Sequence, residues 1–159
     1  MPEDKKCVPG GHYINRGVTV DGLIIRDGQI LLVKRGHMPY QGFWAFPGGF
    51  VGWDESADEA VIREVLEETG LRAKILGKLP FRSDPKRHMQ QVMTQPYLLS
   101  VEGQAVAGDD AAEVRWFDLE HLPEQLAFDH ASILAPVMKA MGISTKQIDP
   151  LGHILHRQV

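Results

Sequence analysis

The segment that most constrains this chain is the run from Glu55 to Gly70, which reads as a helix with carboxylates on its apolar edge. The helix is expected to begin near Glu55 or Ser56, run to Thr69 and stop at Gly70, where a C′ glycine takes the left-handed conformation. At about 100° per residue, Glu64 and Glu68 lie about 40° apart, with Glu67 one step round. With Ala57 at zero, the apolar residues Ala57, Ala60, Val61, Ile62, Val65 and Leu66 sweep from about 300° through zero to about 180°. Glu64 and Glu68 fall inside that arc, whereas a solvated pair belongs near about 250°, beside Ser56 and Arg63. An ionised carboxylate there is costly without a partner, and three in one patch repel unless a cation sits among them. Donor sets made only of oxygen suit Mg2+ or Mn2+ and disfavour zinc. The competing reading is a solvated acidic face on an ordinary helix. Arg63 also has two readings: an i, i+4 pair with Glu67, or a fork that orients Glu55 or one of the ligands.

The remainder of the chain frames this helix. Its 159 residues fit one domain. We divide it into an N-terminal arm over 1–16, a domain over 17–141 and a tail over 142–159 that the pattern does not place. Val18 to Ile25 and Ile30 to Val33 read as strands joined by Asp27-Gly28, a strong short hairpin signal. Residues 36–54 are rich in Gly and Pro and read as loop, with one short strand at 43–46. Further strands are expected at 73–82, 90–101 and 113–118, and a second helix at about 130–141, which Pro136 should kink or delay. Strands with one central and one late helix predict an α+β fold, an antiparallel or mixed sheet between helices.

No apolar run approaches a membrane span, and the charged start, Met1 to Lys6, does not resemble a secretory leader. One cysteine, Cys7, excludes an internal disulfide framework. These features make the cytoplasm the expected compartment. A formal charge of -4 argues against extended nucleic-acid binding. A polyanionic small molecule remains compatible if a bound cation supplies the positive charge.

The residues also carry a family pattern. Gly49, Glu55, Arg63, Glu64, Val65, Glu67, Glu68, Gly70 and Leu71 fill G-x5-E-x7-R-E-U-x-E-E-x-G-U without a gap, U being aliphatic. The chain therefore resembles the Nudix hydrolases. Flanking stretches resemble the ADP-ribose pyrophosphatase branch of that family: Thr19-Val20-Asp21, Leu31 to Arg35, Gly42 to Val51, Ala107 to Ala112 and Leu126 to His130. Gly52 and Asp54 depart from the usual residues at their positions, and Arg82 to Lys86 match the branch only in part. The resemblance implies the Nudix fold, with a mixed sheet between helices. It also implies Mg2+- or Mn2+-dependent hydrolysis of a nucleoside diphosphate derivative, with ADP-ribose giving AMP and ribose 5-phosphate. The alternatives are a nucleoside triphosphate or RNA 5′ pyrophosphohydrolase and, from a different class, a non-catalytic nucleotide sensor.

By resemblance, Glu64, Glu67, Glu68 and the backbone carbonyl of Gly48 are the metal candidates. Glu64, Arg63, Glu67 and Glu55 form the catalytic set, with Glu55 expected to pair with Arg63. Glu64 is the first candidate for general base, and Asp110 and Glu113 are the distal alternatives. Substrate contacts are assigned to Arg35, as a phosphate fork, and to Trp44, Gly49 and Asp110. Tyr40, Phe43 and Phe46 supply further aromatic surface. Asp129 is expected to cap the second helix. Tyr13 and Ile14 in the arm, with Ile148, Leu151, Ile154 and Leu155 in the tail, need cover: a two-fold partner makes a homodimer, and folding back over the domain is the alternative.

Overall fold

A computed structural model describes Cys7–Val8, His12–Tyr13 and residues 15–108 and 111–155. Chain order is β1 (Cys7–Val8), β2 (His12–Tyr13), β3 (Val18–Arg26), β4 (Gln29–Arg35), β5 (Trp44–Ala45), β6 (Gly48–Phe50), α1 (Ala57–Thr69), β7 (Ala73–Lys78), β8 (Met93–Val101), β9 (Ala111–Asp118) and α2 (His130–Ala140). β1 and β2 pair only with each other, whereas the other strands form one seven-stranded sheet ordered β5-β4-β3-β8-β7, with β6 also on β3 and β9 on β4. β3 and β8 run parallel and every other pairing is antiparallel, so the sheet is mixed. The β3–β4 turn has positive φ at Asp27 and Gly28, as its Asp-Gly pair predicts.

Side-chain alternation builds a core on each face of the sheet. Val20, Ile24 and Leu31 pack with Ala60, Val61 and Val65 of α1. Leu23, Ile30 and Leu32 pack with Ile133, Leu134 and Met138 of α2. The centre of β3 is buried on both faces because a helix covers each of them. No helix among the described residues is long and apolar enough to cross a membrane.

Several expectations are corrected. Gly48–Phe50, read as loop, is a strand antiparallel to β3. Two glycines argue against a strand by propensity, but a Cβ at Gly48 would lie 2.0 Å from the Val20 carbonyl oxygen, so this close approach admits only glycine. β7 stops at Lys78 instead of 82, before Pro80, and β8 starts at Met93 instead of 90. Between them Pro85–Arg87 forms one turn of 3-10 helix. β9 begins at Ala111, two residues earlier than read.

α2 begins at His130 and continues through Pro136. Proline cannot donate to the carbonyl four residues back, and Arg82 fills that gap. Its Nη2 donates to the Ser132 carbonyl at 3.1 Å and its Nη1 to the Ser132 hydroxyl at 3.3 Å. Asp129 stands at the N-cap but makes no side-chain cap bond. Its carboxylate instead accepts the fork of the buried Arg87 at 2.9 and 2.7 Å.

The tail folds back over its own domain. Ile143, Ile148 and Ile154 pack against the α2-side core, and the Gln147 side chain bonds the Leu119 carbonyl and the Leu122 amide. Leu151 and Leu155 stay exposed. Ile14 and the Tyr13 side chain lie outside the described residues.

Candidate active site

α1 begins with a capping box. Ser56 accepts from the Glu59 amide and Glu59 reaches back to the Ser56 amide. The helix ends at Gly70, with φ 72° and its N–H on the Leu66 carbonyl. The buried stripe is Ala60, Val61, Val65 and Thr69, narrower than the wheel reading, because Ile62 and Leu66 face solvent. Glu64 and Glu68 lie between Ala60 and Val61 on the helix wheel and point towards β6, into a cavity of about 600 Å³ that Gly48, Gly49, Arg35 and Phe128 also line.

β6 holds the carboxylates close. The Gly48 amide donates to Glu68 Oε2 at 3.1 Å, and a Cβ at Gly49 would lie 2.4 Å from Glu64 Oε1. The N–H and C=O of a strand residue point to the same edge, so the Gly48 carbonyl shares the edge that faces Glu68. Burial, reinforced by Glu64 and Asp21, pushes the Glu68 carboxyl up to about 8, against the opposing pull of the Gly48 amide and Arg35. Burial also raises Glu64, although Arg63 opposes it.

Arg63 is shared. Its Nε and Nη2 grip both oxygens of Glu55 at 2.9 and 2.6 Å, and Nη1 reaches Glu64 at 2.8 Å and Glu67 at 3.0 Å. Nη2 also donates to the Phe50 carbonyl at 3.2 Å. Arg63 and the Gly52 amide hold the Glu55 carboxyl down at about 2. Both sequence readings of Arg63 therefore coexist: one guanidinium pairs with Glu67 and orients Glu55 and Glu64. With Glu67 turned to Arg63, the described residues contain no three carboxylates already gathered at ligand distance.

Arg35 also lines the cavity. Its Nε donates to the Pro39 carbonyl at 2.7 Å, and its guanidinium lies 4.9 Å from the centre of the Phe128 ring. Phe128 has φ 53°, a costly conformation for a bulky residue of the kind that clusters at functional sites. His88 stacks on the same ring at 5.1 Å. Burial, Arg87 and Arg35 hold the His88 imidazole below its usual range. Beneath the cavity Asp21 faces His130. Burial alone raises Asp21, but His130 and the Thr94 hydroxyl on its two oxygens hold it below the usual carboxylate range.

Other assignments are not gathered here. Trp44 is 8% exposed and packs edge-on against Phe117 in the α2-side core, not on the cavity wall. Its strand pairs with Lys34, and that register turns the indole inward. Glu113 sits opposite Lys34 on β9 and pairs with Lys34 and Arg115, away from the cavity. Asp110 lies outside the described residues. Asp21, Arg87, His88 and Phe128 carry no role in the sequence reading; Asp21 and Phe128 lie within stretches that resemble the branch, which is the one signal that points to them. Arg87 and His88 directly follow Arg82 to Lys86, the stretch that matches the branch only in part.

Comparison with known proteins agrees with this geometry. A NUDIX domain model matches residues 15–138. An ADP-ribose pyrophosphatase of Methanocaldococcus jannaschii is 45% identical over 129 residues, covering 80% of this chain and 76% of the relative. Among solved structures, a MutT/nudix family protein from Enterococcus faecalis superposes with a TM-score of 0.71 at 30% identity, over 82% of this chain and 64% of that one. A bifunctional NMN adenylyltransferase/ADP ribose pyrophosphatase from Francisella tularensis, complexed with AMP and a Mn ion, gives 0.67 at 26% identity, over 80% of this chain and 42% of that one. With its seven-stranded mixed sheet between two helices and a family match over most of its length, the chain belongs to the Nudix family.

Proposed function

We propose that the chain is a pyrophosphohydrolase that cleaves ADP-ribose to AMP and ribose 5-phosphate with bound Mg2+ or Mn2+. The observation that carries this reading is the Glu64–Glu68 pair held against glycine backbone: a part-buried Glu64 and a more deeply buried Glu68 beside Asp21, in a cavity that Arg35, Arg63 and Arg87 also line. A divalent cation fits that donor set, which contains only oxygen. Glu64, Glu68 and the Gly48 carbonyl would hold it, with Glu67 joining on release from Arg63. When bound, the cation neutralises diphosphate oxygens and lowers the pKa of water.

This chain's own residues supply the rest. Arg35 offers its outer nitrogens to a phosphate oxygen, because only Nε is committed to Pro39. Glu64 has Oε1 on Arg63, and the two lone pairs of its other oxygen would serve the cation and the proton taken from the attacking water. That water bonds one phosphorus, the bridging P–O bond breaks, and the proton passes to the departing phosphate. Arg63 and Glu55 lock the helix start to the loop after β6, so the carboxylates meet the diphosphate in one orientation. Phe128 and His88, stacked on each other, add aromatic surface to the cavity.

The 45% identical archaeal relative named for ADP-ribose favours that substrate over triphosphates. The test is a panel of ADP-ribose, other nucleoside diphosphate sugars, ATP and dNTPs with Mg2+ or Mn2+, read by product chromatography. AMP and ribose 5-phosphate at the highest kcat/KM support the reading. Preference for a triphosphate refutes the substrate, and absence of turnover on the whole panel with either metal refutes the enzyme.

A further inference from the structure

His130 reaches the site from the first turn of α2, and the proposed chemistry does not use it. The ring is buried and stacked flat on Phe46, with centres 4.3 Å apart and planes at 10°. Its Nδ1 accepts the Phe46 backbone N–H at 3.1 Å. An accepting Nδ1 bears no proton, so the ring proton sits on Nε2, which faces Asp21 Oδ1 at 3.4 Å. The other Asp21 oxygen takes the Thr94 hydroxyl at 2.6 Å. Both imidazole nitrogens are therefore engaged, and His130 has none left to act as an acid or base on substrate.

These bonds converge on three residues, Phe46, Pro47 and Gly48. The Phe46 amide is held by His130, the Pro47 carbonyl accepts the Gly22 amide at 2.8 Å, and Gly48 lies opposite Asp21 in the β3–β6 register. Asp21 thus touches this stretch twice, through the strand pairing of its backbone and through the imidazole on its side chain. Fixing the Phe46 amide fixes the peptide planes that follow, and with them the edge on which Gly48 meets Glu68.

We propose that His130 is a positioning residue by which α2 sets the backbone of the cation site, and that Asp21 selects the tautomer that leaves Nδ1 free to accept. The proposal rests on the reading of Gly48 as part of that site. It names a long-range dependence: a side chain from the second helix, on the opposite face of the sheet from α1, governs the ligand geometry of the first.

The test separates the two nitrogens. In His130→Asn the amide oxygen stands close to the Nδ1 position and still accepts from Phe46. In His130→Gln the amide reaches instead to the Nε2 position beside Asp21. Mn2+ affinity is read by electron paramagnetic resonance without nucleotide, the tautomer by long-range 15N–1H spectra, and folding by thermal melts.

Expected are a ring proton on Nε2 in the unaltered chain, a loss of about 10–100-fold in Mn2+ affinity for His130→Gln, and a distinctly smaller loss for His130→Asn. Equal Mn2+ affinity in the folded Asn and Gln variants overturns the proposal, as does a ring proton found on Nδ1. Failure of the unaltered chain to bind Mn2+ overturns the cation reading and this proposal with it. Mn2+ binding with turnover of some other nucleotide removes only the choice of substrate and leaves the proposal standing.

Discussion

Replacing Glu68 by Gln should make the protein more stable and less active at once. The ordinary carboxyl value of 4.5 is raised to about 8 by burial and by the neighbouring Glu64 and Asp21. Between those values the unfolded chain has released the Glu68 proton while the folded chain retains it. The folded state then binds more protons, so stability falls as pH rises, at about 1.36 kcal/mol for each pH step. From 4.5 to pH 7 the accumulated cost is about 3 kcal/mol, and the decline levels off above about pH 8. Gln is neutral throughout and keeps an oxygen for the Gly48 amide, so Glu68→Gln removes this cost. Denaturation in EDTA from pH 5 to 8.5 should find the two proteins nearly equal at pH 5. At pH 7.5 the variant should be more stable by up to about 4 kcal/mol, or roughly 8–16 °C in Tm. Adding Mn2+ should stabilise the unaltered chain and leave the variant unmoved, while turnover of the variant falls by orders of magnitude. A variant no more stable at pH 7.5, or an unaltered chain whose stability is flat from pH 5 to 8, would refute the reasoning.

Three other perturbations separate shape from chemistry. Gly49→Ala drives a Cβ against the Glu64 carboxylate, whereas Gly48→Ala drives one against the Val20 backbone; melts with kcat measurements should show the first losing mainly turnover and the second mainly stability. Arg63→Lys loses the two-pronged grip on Glu55, so kcat should fall about 10–100-fold, nearly as far as in Arg63→Ala. Arg82→Ala leaves the Ser132 carbonyl without its partner and should cost about 1–3 kcal/mol in urea denaturation. In a Pro136→Ala background, where the helix regains its own N–H, that cost should shrink.

The helix and its chemistry were legible because charge and spacing are local quantities. The apolar stripe, the glycine stop and the position of Glu64 and Glu68 at its edge could be read within a few turns of chain. Arg63 had a short list of partners for the same reason, and it bonds both kinds at once. What was not legible depends on distant partners. β6 forms because Val20 approaches Gly48, which no propensity records. Asp129 looked like a cap until Arg87, 42 residues away, took its carboxylate. Trp44 looked like a surface for stacking because it neighbours the glycine loop, but strand pairing with Lys34 turns it into the core. Pro136 looked like a break because Arg82 stands on another element.

The most direct measurement is the position of the cation. Crystals grown with Mn2+ should give an anomalous difference peak bounded by the Gly48 carbonyl, Glu64 and Glu68, and Glu68→Gln crystals should lose it. An active enzyme whose only Mn2+ peak lies away from those three groups would contradict the assignment of the site.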